Sequence, residues 1–192
     1  MNDQLLSFEE LQQALRDLPR KAQFAFAAIC ATRALAEANL HSPQLTASRP
    51  ALERGVDILW RAAGDEPIPS AEEVASVHGG ATDLLPMSED DTWPEDAFLF
   101  ASKAIGLGLL MLRDGVDAWK AAASCGGAMK NLVTSVYADR RVWRNEGVWQ
   151  QQAIELLRSN PAGPFNRKSF DTIPEYERGA RAASDAAASD PG

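Results

Sequence analysis

The chain has 192 residues, of which 45% are hydrophobic and 24% are charged. This length and apolar fraction are typical of one globular domain, and they exclude collagen-like, wholly disordered and membrane-embedded classes. Its two cysteines are too few for a disulfide framework, which indicates a reducing compartment. The net charge is −8, with 27 acidic and 19 basic residues. Because phosphate binding needs a basic surface, this balance argues against nucleic acid as a direct partner.

The sequence carries no signal for secretion or membrane insertion. The first six residues lack the basic and apolar regions of a secretory signal. The two most apolar stretches, 22–36 and 98–112, each contain a charged residue. Both are also shorter than the roughly 20 apolar residues of a membrane-spanning helix. The sequence therefore predicts a cytoplasmic protein that makes no membrane contact.

Helix signals recur along the chain and predict an all-α fold. A Ser or Thr followed by Glu three positions later, the capping-box pattern, occurs at Ser7/Glu10, Ser70/Glu73 and Thr92/Glu95. Thirty-three alanines favour helix as well, and alternating patterns typical of strands are nearly absent. Seven helices are predicted in one compact bundle, at roughly 7–18, 20–40, 50–63, 70–78, 93–113, 115–138 and 146–158. Whether the sixth is broken at Gly126-Gly127 is left open.

Two of these helices have informative faces. The second is apolar on nearly all sides, which places it in the middle of the bundle. The third has a single apolar stripe, with Asp57 and Arg61 one turn apart on the opposite side and able to pair. The stretch from His78 to Asp91 is predicted to be a loop because it contains Gly79-Gly80 and Pro86.

A change of composition after residue 160 divides the chain. Residues 1–160 are predicted to form the helical bundle domain, and residues 161–192 a C-terminal extension. Residues 179–192 are rich in Ala, Ser and Asp and contain no large apolar side chain. Such a segment cannot bury enough surface to offset its ordering entropy, so the extension is predicted to be partly disordered.

Catalytic and cofactor motifs are weak. The only histidines, His41 and His78, are expected to be loop or helix-end residues rather than bases or ligands. Cys30 lies among apolar residues and is expected to be inert, whereas Cys125 precedes two glycines and could be more exposed. No hydrolase elbow, phosphate-binding loop or zinc cluster occurs. The sequence predicts a protein that is not an enzyme, has no cofactor and has no metal site.

Charge is distributed very unevenly along the chain. Residues 65–96, which we call the acidic segment, contain ten acidic residues and no Lys or Arg, which leaves 17 acidic and 19 basic residues elsewhere. One interpretation is a solvated surface whose carboxylates favour helix N-termini. The other is a surface for a basic protein such as a nuclease-like toxin, with two apolar anchors. The contact residues predicted for it are Asp83, Met87, Glu89, Asp90, Asp91, Trp93, Glu95 and Asp96.

The order and spacing of four segments, covering roughly residues 20–115, carry a family resemblance. They are Phe24–Arg33, Leu52–Trp60, Pro69–Glu73 and the pair Trp93-Pro94 before an apolar helix. This pattern resembles the YjaG-like family of small bacterial all-helical proteins. The resemblance implies a helical fold and no established activity. Where the family places Asp soon after its aromatic–proline pair, this chain has Glu95-Asp96-Ala97, which leaves any shared polar role undefined.

Three hypotheses follow for function. Small acidic helical proteins are often encoded beside bacterial toxins, so the first is a non-enzymatic immunity or antitoxin-type inhibitor of a basic toxin. The second is an enzyme that uses a divalent metal held by Asp57, Glu89, Asp90, Asp91 and Asp96. The third is a homo-oligomeric scaffold without ligand, in which tryptophans pack the core or a dimer interface; these are Trp60, Trp119, Trp143 and Trp149.

Overall fold

Seven α-helices and one short 3₁₀ turn make up the regular structure of the described residues, which contain no strand. A computed structural model describes residues 6–41, 49–64, 66–82, 93–113, 115–137 and 139–174, with the backbone alone for 93–96. The predicted all-α bundle is confirmed. The helices are α1 (Phe8–Arg16), α2 (Arg20–His41), α3 (Arg49–Gly64), α4 (Ala71–Thr82), α5 (Trp93–Leu110), α6 (Ala118–Val136) and α7 (Arg140–Ser159), followed by the 3₁₀ turn Arg167–Phe170.

Helix α2 lies at the centre of the bundle, as its apolar composition predicts. Fifteen of its 22 residues are buried, and it packs against α3, α5, α6 and α7. Alanines with no exposed surface lie around its circumference, at Ala25, Ala27, Ala28 and Ala31. These small side chains allow neighbouring helices to approach closely from several directions. In the ranges that the structure describes, no helix is both long and apolar enough to cross a membrane.

The predicted capping boxes at Ser7/Glu10 and Ser70/Glu73 differ in how many of their two hydrogen bonds are present. Ser7 Oγ accepts from the amide of Glu10 at 3.2 Å, and Glu10 Oε2 accepts from the amide of Ser7 at 2.7 Å, which completes the box of α1. Ser70 Oγ accepts from the amide of Glu73 at 3.2 Å. The Glu73 carboxylate, however, contacts Arg54 of α3 at 2.5 Å. The Glu73 carboxylate therefore forms an ion pair with α3 instead of the hydrogen bond to the Ser70 amide that the capping-box pattern predicts. The Thr92/Glu95 side chains lie outside the described residues.

Packing extends α4 beyond its predicted end. The helix continues through Gly79-Gly80 to Thr82, so the predicted loop is wrong for residues 78–82, while 83–91 lie outside the described residues. A Cβ atom at Gly80 would lie 3.2 Å from Ala51 Cβ. The glycines that suggested a loop are therefore helical positions that let α4 approach α3.

Two other helices also differ from their predicted bounds. Helix α7 begins at Arg140 rather than near 146, because Asp139 Oδ1 accepts from the amide of Arg141 at 2.8 Å and caps it. Helix α6 is continuous through Gly126-Gly127. A Cβ at Gly126 would lie 3.0 Å from Phe26 Cε1 of α2. Close helix packing, rather than a break, explains the glycine at this position.

Close packing likewise explains the glycines of α3 and α5. A Cβ at Gly55 would lie 2.5 Å from Ile105 Cγ2, and one at Gly108 would lie 2.7 Å from Leu59 Cδ1. Neither position has room for a larger side chain without movement of its neighbour. Gly106 is a third such position, since a Cβ there would lie 2.8 Å from Thr82 Cγ2.

The beginning of the C-terminal extension packs onto the bundle. Phe165, Phe170 and Ile173 are all buried. The Phe170 ring centroid lies 6.0 Å from that of Trp60 and 6.4 Å from that of Trp149. Residues 161–174 therefore cover the core beside α3 and α7. Residues 175–192, which include the Ala/Ser/Asp-rich tail, lie outside the described residues.

Candidate functional site

The acidic segment is described only in part. Residues 66–82 are described fully, whereas Asp65 lies outside the described residues. Among the predicted contact residues, Asp83, Met87, Glu89, Asp90 and Asp91 also lie outside them. Trp93, Glu95 and Asp96 fall in the first turn of α5, where the backbone alone is described.

The described carboxylates of the segment fall into two groups. Glu66 and Glu72 are exposed and form no ion pair with any residue that the structure describes. Glu73 pairs with Arg54, whose Nη1 also lies 3.4 Å from Asp57 Oδ2. Exposed pairs of this kind stabilise a fold by at most about 1 kcal/mol. Of the three acidic side chains of the segment that the structure describes, one is therefore compensated by an arginine from outside it.

Asp57 belongs to this exposed network. Its Oδ2 lies 3.1 Å from Arg61 Nε, which confirms the pair predicted from their spacing. Within the described ranges, no group of three His, Cys, Asp or Glu side chains could hold a metal ion. Among the five residues of the metal-dependent enzyme hypothesis, Asp57 is the one whose side chain the structure describes. Its carboxylate forms ion pairs with Arg54 and Arg61.

Helix α2 carries a row of buried polar residues that the sequence analysis above does not predict. Arg33, Glu37 and His41, which we call the polar row, recur every four residues and therefore lie on one face of the helix. Their exposed fractions are 5%, 0% and 6%. Charged residues are rarely buried without partners. Their four-residue spacing within an otherwise apolar helix was the available signal.

The Arg33 end of the polar row is held by α7. Arg33 Nη2 donates to Glu146 Oε2 at 3.0 Å, and its guanidinium lies 3.9 Å from the centroid of the Trp149 ring. Gln150 Nε2 donates to Glu146 Oε1 and to the carbonyl of Gly126, both at 3.0 Å. Each Glu146 oxygen thus accepts a hydrogen bond, as a buried carboxylate requires. This network connects α2, α6 and α7.

The His41 end of the polar row contacts the end of α6. Tyr137 Oη donates to Glu37 Oε2 at 2.8 Å. His41 Nε2 lies 3.3 Å from both the same carboxylate oxygen and Tyr137 Oη. His41 is a helix-end residue, as predicted, but it is buried in a carboxylate–imidazole–phenol cluster. The burial of all three groups favours a structural role, in which they fix the end of α2 against α6, over contact with a substrate.

Both cysteines are buried, so the expectation of a more exposed Cys125 is wrong. Cys125 Sγ donates to the carbonyl of Ala27 at 3.3 Å. Desolvation raises the pKa of the Cys30 thiol well above its ordinary value and raises the pKa of Cys125 to about 12. Because the thiolate is the reactive form, both thiols are expected to be inert.

We predict that neither thiol reacts with Ellman's reagent in the folded protein at pH 8. With a pKa of about 12, about one Cys125 in ten thousand is ionised at that pH, and burial also prevents access. In denaturant, two thiols per chain are expected to react at once, which provides the control. Rapid release of one equivalent of thionitrobenzoate before unfolding would contradict the buried placement.

Comparison with protein-family models, with curated proteins and with solved structures finds no match of the chain in any of the three. The resemblance to the YjaG-like family therefore stays a prediction.

Proposed function

We propose that this chain is a non-enzymatic protein-binding module whose acidic segment docks a basic partner, as an immunity or antitoxin-type inhibitor does with a toxin. The observation that supports the proposal is the concentration of ten acidic residues, with no Lys or Arg, between residues 65 and 96. The remainder of the chain has 17 acidic and 19 basic residues. A charge imbalance confined to one sixth of the chain favours a local role for it.

The physical basis is the cost of unpaired like charges. Carboxylates crowded without counterions repel one another and lower the stability of the folded state. A basic partner removes that repulsion and is also steered towards the segment during association. Glu66 and Glu72, both exposed, are available for such contacts. Among the three acidic side chains of the segment that the structure describes, Glu73 is paired, with Arg54.

The ends of the acidic segment adjoin helices that belong to the core. Helix α4 packs against α3 and α5, and α5 packs against α2 and α6. Val74 and Ala81 of α4 are buried, as are Ala97 and Phe98 near the start of α5. The described residues 66–82 of the segment are thus part of the packed bundle, and docking on them costs less conformational entropy than docking on a free chain.

The test is capture of a basic protein by the immobilised chain at low salt, compared with a charge-reversed variant. The variant replaces Glu89, Asp90, Asp91 and Glu95 by Lys. The control replaces four exposed carboxylates outside the segment by Lys, namely Glu9, Glu53, Glu155 and Asp171. We expect the variant to lose the partner and the control to retain it. Because exposed charges are screened by ions, high salt is expected to release the partner.

A second measurement distinguishes an inhibitor from a passive binder. If the captured protein is a nuclease or another toxin, one equivalent of this chain is expected to abolish its activity, and the charge-reversed variant is not. Capture that survives the four substitutions within the segment, or that the control loses equally, would overturn the proposed interface.

A further inference from the structure

A pocket of about 450 Å³ lies between the linker that precedes α4, one face of α4 and the end of α5. Pockets of this volume hold small organic molecules in other proteins. The large apolar side chains that line it are Ile68, Val74, Leu109 and Leu112.

Small side chains on α4 leave this space open. Ala71, Val74, Ala75 and His78 follow the i, i+3, i+4, i+7 spacing and share the face of α4 that lines the pocket. Ala71 and Ala75 are exposed. Ile68 at the rim is 50% exposed, although most large apolar residues in this chain are buried. The result is an accessible apolar surface next to the core.

Two nitrogen-bearing side chains also line the pocket. His78 is half-buried on α4, and Arg113 is exposed just after α5. Neither side chain forms a hydrogen bond or ion pair with another residue that the structure describes. Arg54 and Arg61, by contrast, are both engaged by carboxylates. Within the described part of the chain, Arg113 thus offers a guanidinium without an ion-pair partner beside an apolar pocket, and guanidinium groups match carboxylate geometry.

The nearest acidic side chains of α4 lie on other sides of the helix. At 100° per residue, Glu72 and Glu73 are rotated away from the face that carries Val74 and His78. Glu73 is turned towards Arg54 of α3. The described charged or ionisable groups that line the pocket are therefore His78 and Arg113, even though the surrounding segment is acidic.

We propose that this α4–α5 pocket binds a small organic anion with an apolar body, of the medium-chain carboxylate class. The hydrocarbon contacts Ile68, Ala75 and Leu112, the lining apolar side chains with accessible surface, and the carboxylate binds Arg113 with His78 beside it. Several lining residues, from Ile68 to His78, fall within the acidic segment, but none of them belongs to the predicted contact set, so the two proposals are tested with different substitutions.

The test is calorimetric titration of the protein with sodium decanoate below its micelle concentration. Decyltrimethylammonium, which has the same chain and the opposite charge, is the matched ligand control. We expect saturable one-to-one binding of decanoate and much weaker binding of the cation. Arg113→Gln is expected to weaken decanoate binding about tenfold, the effect of one lost charge-assisted hydrogen bond. Arg140→Gln, an exposed arginine of α7, is expected to leave it unchanged.

A second variant tests the apolar part of the pocket. Ala75→Trp places a large side chain from an exposed helix position into the space and is expected to abolish binding, while circular dichroism checks that the helices remain. The proposal is overturned if decanoate does not bind saturably, if the cation binds equally well, or if the Arg113→Gln and Arg140→Gln variants bind alike. These outcomes are independent of partner capture, which is tested with substitutions at residues 89–95.

Discussion

Replacement of Glu146 by alanine is expected to lower the free energy of unfolding by about 3 to 5 kcal/mol. Glu146 has no exposed surface, and the Arg33 guanidinium that it binds is 5% exposed. Without the carboxylate, a buried positive charge loses the counterion that α7 supplies, at a site that water does not reach. Urea denaturation followed by circular dichroism measures the change.

An exposed pair in the same chain provides the control. Lys120 Nζ lies 2.7 Å from Asp117 Oδ2, with both side chains more than half exposed. Lys120→Ala is expected to cost less than about 1 kcal/mol. The double variant Arg33→Met, Glu146→Leu is expected to recover most of the stability, because it removes both charges and keeps apolar volume. If the Glu146 and Lys120 variants are equally stable, the buried pair is not formed as described.

Replacement of Phe170 by alanine is the second large effect, with an expected loss of about 3 kcal/mol. The ring is 3% exposed and packs against Trp60 and Trp149. Removing it leaves a cavity between two large aromatic residues and weakens the attachment of residues 161–174 to the bundle. Thermal or urea denaturation measures the loss.

Phe8 is the matched control for this aromatic substitution. It is 49% exposed at the start of α1, so Phe8→Ala is expected to cost about 1 kcal/mol or less. Equal losses for the two variants would mean that Phe170 does not anchor the extension. A larger loss at Phe170, by contrast, would place residues 161–174 within the folding unit.

The fold could be predicted to a large extent because local signals and tertiary packing agree. The apolar circumference of α2 predicted its central position, and the Ser7 pattern predicted a cap that forms in full. The local sequence signals gave the wrong prediction where helix packing outweighs the intrinsic preference of a residue, as at Gly79-Gly80 of α4. Glycine lowers helix propensity, yet Gly80 and Gly126 are helical because α3 and α2 approach them closely.

The polar row could not be predicted because its partners are distant in the chain. Arg33 and Glu146 are 113 positions apart, and Glu37 and Tyr137 are 100 apart. Periodicity within one helix does not indicate which side chain of another helix will face it. The acidic segment is the opposite case, since composition alone reveals its charge, while the contact residues predicted within it lie where side chains are not described.

The separation between Arg33 and Glu146 also bears on how the chain matures during translation. Helix α2 is made early, but the carboxylate of α7 that binds its arginine leaves the ribosome only after α7 has been synthesised. Until then Arg33 lacks the Glu146 carboxylate, although α3, α5 and α6, which cover most of α2, are synthesised earlier. A chain that ends before α7 therefore keeps most of the packing of α2 but lacks the carboxylate that binds the buried Arg33, so we expect it to be less stable than the full bundle.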